Sequence, residues 1–228
     1  MPACLATPQF VKRGDVYRCL PFEEFNWLEH AFSTRDASLP ASITTLKQIH
    51  SANVLDVRGL QNRAAEGDAL VSNELRNRIG VRTADCVPIL LADPATHAVA
   101  AIHAGWRGTA GSIARRTVNE LAVEFGTKAD SIHAAIGPAI RVCCYEVGEE
   151  VALQFRPLFP EWDCRPVDDR WRLDLIEANR RILEASGVPA DQIYDSGLCT
   201  HCCAAEFHSF RRDPADGGRM MSFIVRND

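Results

Sequence analysis

Cys86, His103 and His50 are the residues whose types and surroundings point most directly to chemistry. Cys86 closes the stretch Gly80-Val81-Arg82-Thr83-Ala84-Asp85-Cys86 and leads into an apolar run at 87–91 that reads as a strand. A turn at Asp93-Pro94 follows. A second apolar run, 99–103, ends in His103-Ala104-Gly105-Trp106-Arg107-Gly108-Thr109-Ala110-Gly111. If the two runs pair as an antiparallel hairpin, the start of one lies beside the end of the other, and a thiolate meets an imidazole at one edge. His50, in Lys47-Gln48-Ile49-His50-Ser51, directly precedes a third strand candidate at Val54. One Cys and two His form a borderline-soft ligand set suited to Zn²⁺. Three protein ligands with one open position are the usual arrangement of a catalytic zinc site. Taken singly, Cys86 reads as a core thiol and each His as a satisfied polar residue; the combination carries the chemistry. Cys86 could equally act as a nucleophile activated by His103.

The segment after His103 suggests an anion site. Gly105, Gly108 and Gly111 would let backbone approach a ligand closely, and a helix opening at Ser112 would direct free N–H groups out of the turn. Arg107 would add a fixed cation. The Gly-Lys-Ser/Thr ending of a phosphate-binding Walker loop is absent. Near the C-terminus, Arg211 and Arg212 follow Phe207 and Phe210 and could hold a phosphate or stack on a base. In the same region Cys199 and Cys202 have half the spacing of a zinc knuckle. The other half would have to come from Cys143-Cys144, adjacent in the chain and poor knuckle ligands by spacing.

The elements that must position these residues are legible in part. Apolar periodicity predicts helices over 112–125, from near Tyr145 to Pro157 with Val147, Val151, Ala152 and Phe155 inward, and from a cap at Asp174 to Ser186. Strands are expected at 54–57, 69–71, 87–91, 99–103, 132–136, 171–173 and 220–225. Helices do not alternate regularly with strands, which favours α+β over a doubly wound sheet. No repeat or linker divides the 228 residues, so one domain over 1–228 is expected.

Composition narrows the function. A net charge of −5 argues against nucleic acid or a membrane surface as partner. No apolar run is long enough to span a bilayer, and the first residues lack the pattern of a signal peptide, so a cytoplasmic location is expected. Nine cysteines, an odd number, make a disulfide framework the weaker reading; six or seven of them are expected to be small buried apolar residues. No interface signature is visible, so monomer is the default.

With these residues in view, the chain resembles the YfiH-like proteins, also described as laccase-domain or polyphenol oxidase proteins. The resemblance lies in Lys47-Gln48-Ile49-His50-Ser51, Gly67-Asp68-Ala69-Leu70-Val71, Thr83-Ala84-Asp85-Cys86-Val87-Pro88, His103-Ala104-Gly105-Trp106-Arg107-Gly108, Ala135-Ile136-Gly137-Pro138-Ala139-Ile140, Tyr145-Glu146-Val147-Gly148 and residues 207–221. It covers nearly the whole chain from about Ala31. It implies a single α+β domain, a β-sandwich core with helices packed outside, and zinc ligands at His50, Cys86 and His103. It implies phosphorolysis of purine nucleosides (adenosine, inosine, guanosine, methylthioadenosine), deamination of adenosine, and in some members removal of wrongly built peptidoglycan precursors. One departure stands near the N-terminus. The family's Arg-x-Gly-Gly-x-Ser is replaced by Arg35-Asp36-Ala37-Ser38, and Gln48 follows after only about ten more residues. Arg35 still maps as an anion-binding candidate, but the stretch that would form that wall of the pocket is short.

The expected chemistry is therefore metal-assisted. Arg35, Arg107 and Arg211 or Arg212 would hold phosphate against the anomeric carbon. Deamination would need a proton donor, for which Asp85 is the candidate by its position beside Cys86. The His-x-Glu with Pro-Cys-x-x-Cys signature of zinc nucleobase deaminases is absent. Copper polyphenol oxidation is the rival that the laccase label brings. It calls for many histidines in close pairs, whereas the nearest two of the seven here are His97 and His103. A Cys-dependent hydrolase or amidase, and a non-enzymatic binding module, are the other rivals.

Overall fold

The computed structural model describes residues 4–60, 65–156 and 171–228. The chain opens with β1 (Phe10–Arg13), β2 (Val16–Cys19), a single helical turn α1 (Leu20–Glu23) and β3 (Leu28–Ser33). Then come β4 (Val54–Asp56), β5 (Ala69–Ser72), β6 (Ile79–Thr83), β7 (Val87–Ala92) and β8 (Val99–Ala104). Helices α2 (Trp106–Ala110) and α3 (Ile113–Phe125) precede β9 (His133–Ile136) and β10 (Glu146–Val147). Helix α4 (Glu149–Phe155), β11 (Trp171–Arg172), α5 (Leu175–Ala185), β12 (Ile193–Asp195) and β13 (Met220–Arg226) complete the order.

Two sheets stack face to face, and helices cover one of them. The first has the order β1-β2-β3-β13-β6 and the second β12-β9-β7-β8-β5-β4; β10 and β11 form a separate ribbon. Strand β7 shows why the layers form. All six of its residues, Val-Pro-Ile-Leu-Leu-Ala, are buried, because side chains alternate between two covered faces. Ile89 and Leu91 enter the core shared with α3 and α5. Leu90 and Ala92 enter the core shared with Phe32, Ile79, Val81 and Ile224 of the first sheet. The β-sandwich with external helices, expected from the resemblance, is what the chain adopts.

The helix starts are set by local chemistry. The Asp174 carboxylate accepts the Glu177 N–H at 3.0 Å, capping α5. Helix α3 stops where Gly126, at φ 72°, takes the left-handed conformation. The helix expected from Tyr145 begins later, at Glu149, because Glu146 and Val147 pair with Arg172 and Trp171 as strands; its expected stop, Pro157, lies outside the described residues. Strands β1, β2, β3, β6 and β12 escaped the sequence reading because polar residues interrupt them. Buried His30 in β3 is satisfied by accepting the Cys19 N–H at Nε2, 2.8 Å away.

The cysteines correct an expectation. Among the described residues, Cys19 alone is a buried thiol outside any cluster. Cys4 and Cys203 form a disulfide, while Cys143, Cys144, Cys199 and Cys202 gather together.

Candidate active site

The hairpin expected from sequence forms. Strands β7 and β8 pair antiparallel with Val87 opposite Ala104 and Pro88 opposite His103, so Cys86, just before β7, meets His103, near the end of β8. Strand β5 flanks β8 and β4 flanks β5, which delivers His50 from the loop before β4 to the same end. The ligand atoms of His50, Cys86 and His103 all lie within 4.8 Å of one another. The two imidazoles meet edge to face, with centroids 4.9 Å apart.

Asp68 holds this arrangement, a role that sequence reasoning missed. It is almost fully buried just before β5. Its Oδ1 lies 2.8 Å from His103 Nδ1 and accepts the His50 N–H at 3.0 Å. Its Oδ2 accepts the Ser51 N–H and hydroxyl, each at 2.6 Å. Because Nδ1 of His103 is occupied, Nε2 is the nitrogen left for Cys86 or a metal. These N–H bonds also hold His50 at φ 57°, a left-handed conformation uncommon for a residue with a side chain. The Gln48 amide adds a second clamp, accepting from Arg82 N and donating to Arg82 O, both at 2.8 Å. The Gly67-Asp68 step into an apolar strand was the available signal: a carboxylate so placed needs donors.

The electrostatics follow from these contacts. Burial opposes ionisation of Cys86, yet hydrogen bonds with His103 and His50 bring its thiol down to about 6. Burial would lower His103, but Asp68 and Cys86 raise it to about 9. Burial would raise Asp68, and His103 and Ser51 instead take it down to about 2. Each of the three contacts favours the charged form of its partners: the carboxylate of Asp68, the protonated ring of His103 and the thiolate of Cys86. The donor set, one thiolate and two imidazoles on rigid supports, is one that a borderline-soft ion such as zinc would fit.

The glycines after His103 allow close packing within the protein itself. A Cβ on Gly105 would stand 3.2 Å from both Cys86 Sγ and His50 Cδ2, and one on Gly108 would stand 2.8 Å from the Ser51 carbonyl. They let α2 pack against the His50 segment, closing the ligand set. Helix α2 also intervenes before α3, and Ser112 forms a left-handed link between the two, so the anion-binding helix start expected at Ser112 is not at the pocket.

A cavity of about 600 Å³ opens over the three ligands. Its walls carry the aromatic side chains Trp106, Tyr145 and Phe210 and the cations Arg82, Arg211 and Arg219. Of the arginines expected from sequence, only Arg211 lines it. Its Nη1 donates to the Glu146 carbonyl at 2.7 Å, and its guanidinium sits 5.4 Å from the Tyr145 ring centre. Arg35 instead donates to the Ala204 carbonyl, and Arg107 is exposed and lies over its neighbour Trp106. Arg212 donates to the carbonyls of Thr200, His201 and Phe207 and to Asp213, tying its own loop together. Arg82 and Arg219 were missed because each stands singly in a strand or turn, and the fold alone aims them at one cavity.

Asp85 is at the site in an unexpected capacity. It is buried at φ 91°, and its carboxylate accepts from Thr200 Oγ1 at 2.7 Å, Ser209 Oγ at 3.1 Å and the Arg211 N–H at 2.7 Å. Those contacts fasten the Arg211 loop beside Cys86 and direct the carboxylate to protein donors.

The sequence is 43% identical over 180 residues to a purine nucleoside phosphorylase of Deinococcus radiodurans, covering 78% of this chain and 68% of that one. It is 44% identical over 171 residues to adenosine deaminase RL5 of an unknown prokaryotic organism, covering 73% and 65%. The crystal structure of YlmD from Geobacillus stearothermophilus superposes with a TM-score of 0.85 at 31% identity, over 96% of this chain and 99% of that one. The family model described as multi-copper polyphenol oxidoreductase laccase matches residues 29–227. By the extent of that match and the shared single-domain α+β fold, the chain belongs to the multi-copper polyphenol oxidoreductase laccase family, the laccase-domain group.

Proposed function

We propose that the chain is a zinc-dependent purine nucleoside phosphorylase with adenosine deaminase activity. The observation that carries the proposal is the convergence of His50, Cys86 and His103 beneath a 600 Å³ cavity lined by aromatic rings and arginines. That volume falls in the range of small-molecule sites. The names of the two relatives point to the same substrates.

In this reading His50, Cys86 and His103 hold the metal, and Asp68 orients both histidines. Zinc bound there would supply Lewis-acid polarisation to the molecule beside it. Trp106, Tyr145 and Phe210 offer faces for a purine. Arg211, with Arg82 and Arg219, holds phosphate and offsets its charge as a cationic sugar develops. Asp85 positions Arg211 by accepting its N–H. Copper oxidation is disfavoured by the donor set: among the described residues only His50 and His103, of seven histidines, share a metal-binding cluster.

A second reading rests on one specific observation. Cys86, His103 and Asp68 stand in the order of a nucleophile, base and orienting carboxylate. A Cys-dependent hydrolase acting on a cell-wall precursor would use the same residues.

Product analysis of the zinc-loaded protein with adenosine and inosine, with and without phosphate, separates these readings. Phosphate-dependent release of free base, lost in Cys86→Ala, is the expected result. Phosphate-independent conversion of adenosine to inosine would establish the deaminase activity. No turnover by folded, zinc-bound protein would refute the purine reading, and a covalent adduct on Cys86 would favour the hydrolase.

A further inference from the structure

Away from the pocket floor, four cysteine sulfurs converge from two loops. Cys143 Sγ lies 3.6 Å from Cys144 Sγ, 3.7 Å from Cys199 Sγ and 3.9 Å from Cys202 Sγ, and Cys144 and Cys202 are 3.4 Å apart. All four sulfurs are within 4.8 Å of one another. No pair is at bonding distance, since a disulfide needs about 2.05 Å, and the disulfide in this region uses Cys4 and Cys203 instead.

We propose that Cys143, Cys144, Cys199 and Cys202 form a tetrathiolate site for a structural zinc ion. A tetrahedral zinc with Zn–S bonds of about 2.3 Å sets its sulfurs about 3.8 Å apart along each edge. The four separations bracket that value. Four sulfur ligands without histidine or carboxylate select a soft-tolerant tetrahedral ion and leave no open coordination position, as structural sites do.

The backbone supports the arrangement. The N–H groups of Cys202 and Arg141 bond to the Cys199 sulfur. The Ala139 N–H donates to the Leu198 carbonyl and the Thr200 N–H to the Ala139 carbonyl, which aligns the two cysteine-bearing segments. Cys143 and Cys144, poor partners by spacing alone, work here because the tight turn that returns the Cys144 N–H to the Arg141 carbonyl at 2.9 Å presents both sulfurs to the Cys199–Cys202 turn.

The site has a purpose in the fold. One segment continues to Tyr145 and the other to Phe210 and Arg211, all in the pocket wall. The ion would clamp the two halves of that wall from behind, distinct from the His50, Cys86 and His103 set.

Metal analysis of the full chain tests this. Wild type should carry two zinc ions per chain after purification and exhaustive dialysis. Cys86→Ala should retain one, and Cys143→Ser combined with Cys202→Ser should also retain one. Cobalt(II) exchanged into Cys86→Ala should give the intense sulfur charge-transfer and red-shifted d–d bands of a tetrathiolate. If the double variant does not fold, alkylation of wild type mapped by mass spectrometry decides. The four cysteines should be protected until a strong chelator is added. One zinc in wild type and none in Cys86→Ala, unprotected alkylation, or disulfides among these four would each overturn the proposal.

Discussion

Asp68 Oδ1 lies 2.8 Å from His103 Nδ1, and the same oxygen accepts the backbone N–H of His50. One buried carboxylate therefore orients two of the three candidate ligands. Asp68→Asn keeps the shape but sets an amide donor against the N–H groups of Ser51 or His50. Zinc affinity at the pocket site should fall by about 10–100-fold, read by chelator competition. Unchanged affinity would show that His103 is oriented by other contacts.

In the metal-free chain, Cys86 alkylation should switch on near neutral pH. Its folded value, about 6, lies below the ordinary 9.0, so the thiolate is present above about 6 and lost as pH falls through it. Iodoacetamide rates at Cys86, followed by peptide mapping, should rise through about pH 6, and zinc should abolish them. A midpoint near 9 would mean that the histidines do not stabilise the thiolate.

Gly108→Ala should loosen the pocket site without touching a ligand. The new Cβ would meet the Ser51 carbonyl at 2.8 Å, and that backbone carries His50. A loss of about 1–3 kcal/mol in stability is expected, with weaker zinc binding. Thermal melts and metal content measure both effects; a wild-type melt and full zinc would show that α2 can shift freely.

The arginines should divide by position. Arg211→Ala and Arg219→Ala should raise the KM for phosphate about tenfold, equivalent to about 1.4 kcal/mol each. Arg35→Ala and Arg107→Ala should leave it within about twofold, because neither side chain lines the cavity. Initial rates at varied phosphate check this, and the opposite ranking would relocate the anion site.

Asp85→Ala should unsettle the pocket wall by freeing the Thr200, Ser209 and Arg211 donors together. A cost of about 2–5 kcal/mol is expected for a buried charged acceptor lost from its partners. Denaturant unfolding measures it. Asp85→Asn, which keeps one acceptor oxygen, should lose less. Full stability with abolished turnover would return Asp85 to the proton-donor role.

By itself the sequence determined the hairpin and the identity of the cluster. The run 87–91 and the run 99–103 are apolar throughout because both faces of β7 and β8 are covered, and the turn at Asp93-Pro94 forces them to pair, bringing Cys86 to His103. The α5 cap at Asp174 and the Gly126 stop of α3 were legible because their chemistry is local. What tertiary structure decided were contacts between distant segments. Asp68 becomes an orienting carboxylate only because β5 pairs beside β8. Arg82 and Arg219 reach one cavity only because β6 and β13 are neighbours, while Arg35 and Arg212 turn to nearby carbonyls. Cys143-Cys144 had poor ligand spacing in the chain, and a bridge between Ala139 and Cys199 carries them to their partners. Periodicity and spacing report the forces within a segment; which side chains then share a cavity depends on sheet order and loop closure across tens to hundreds of residues, which no local pattern encodes.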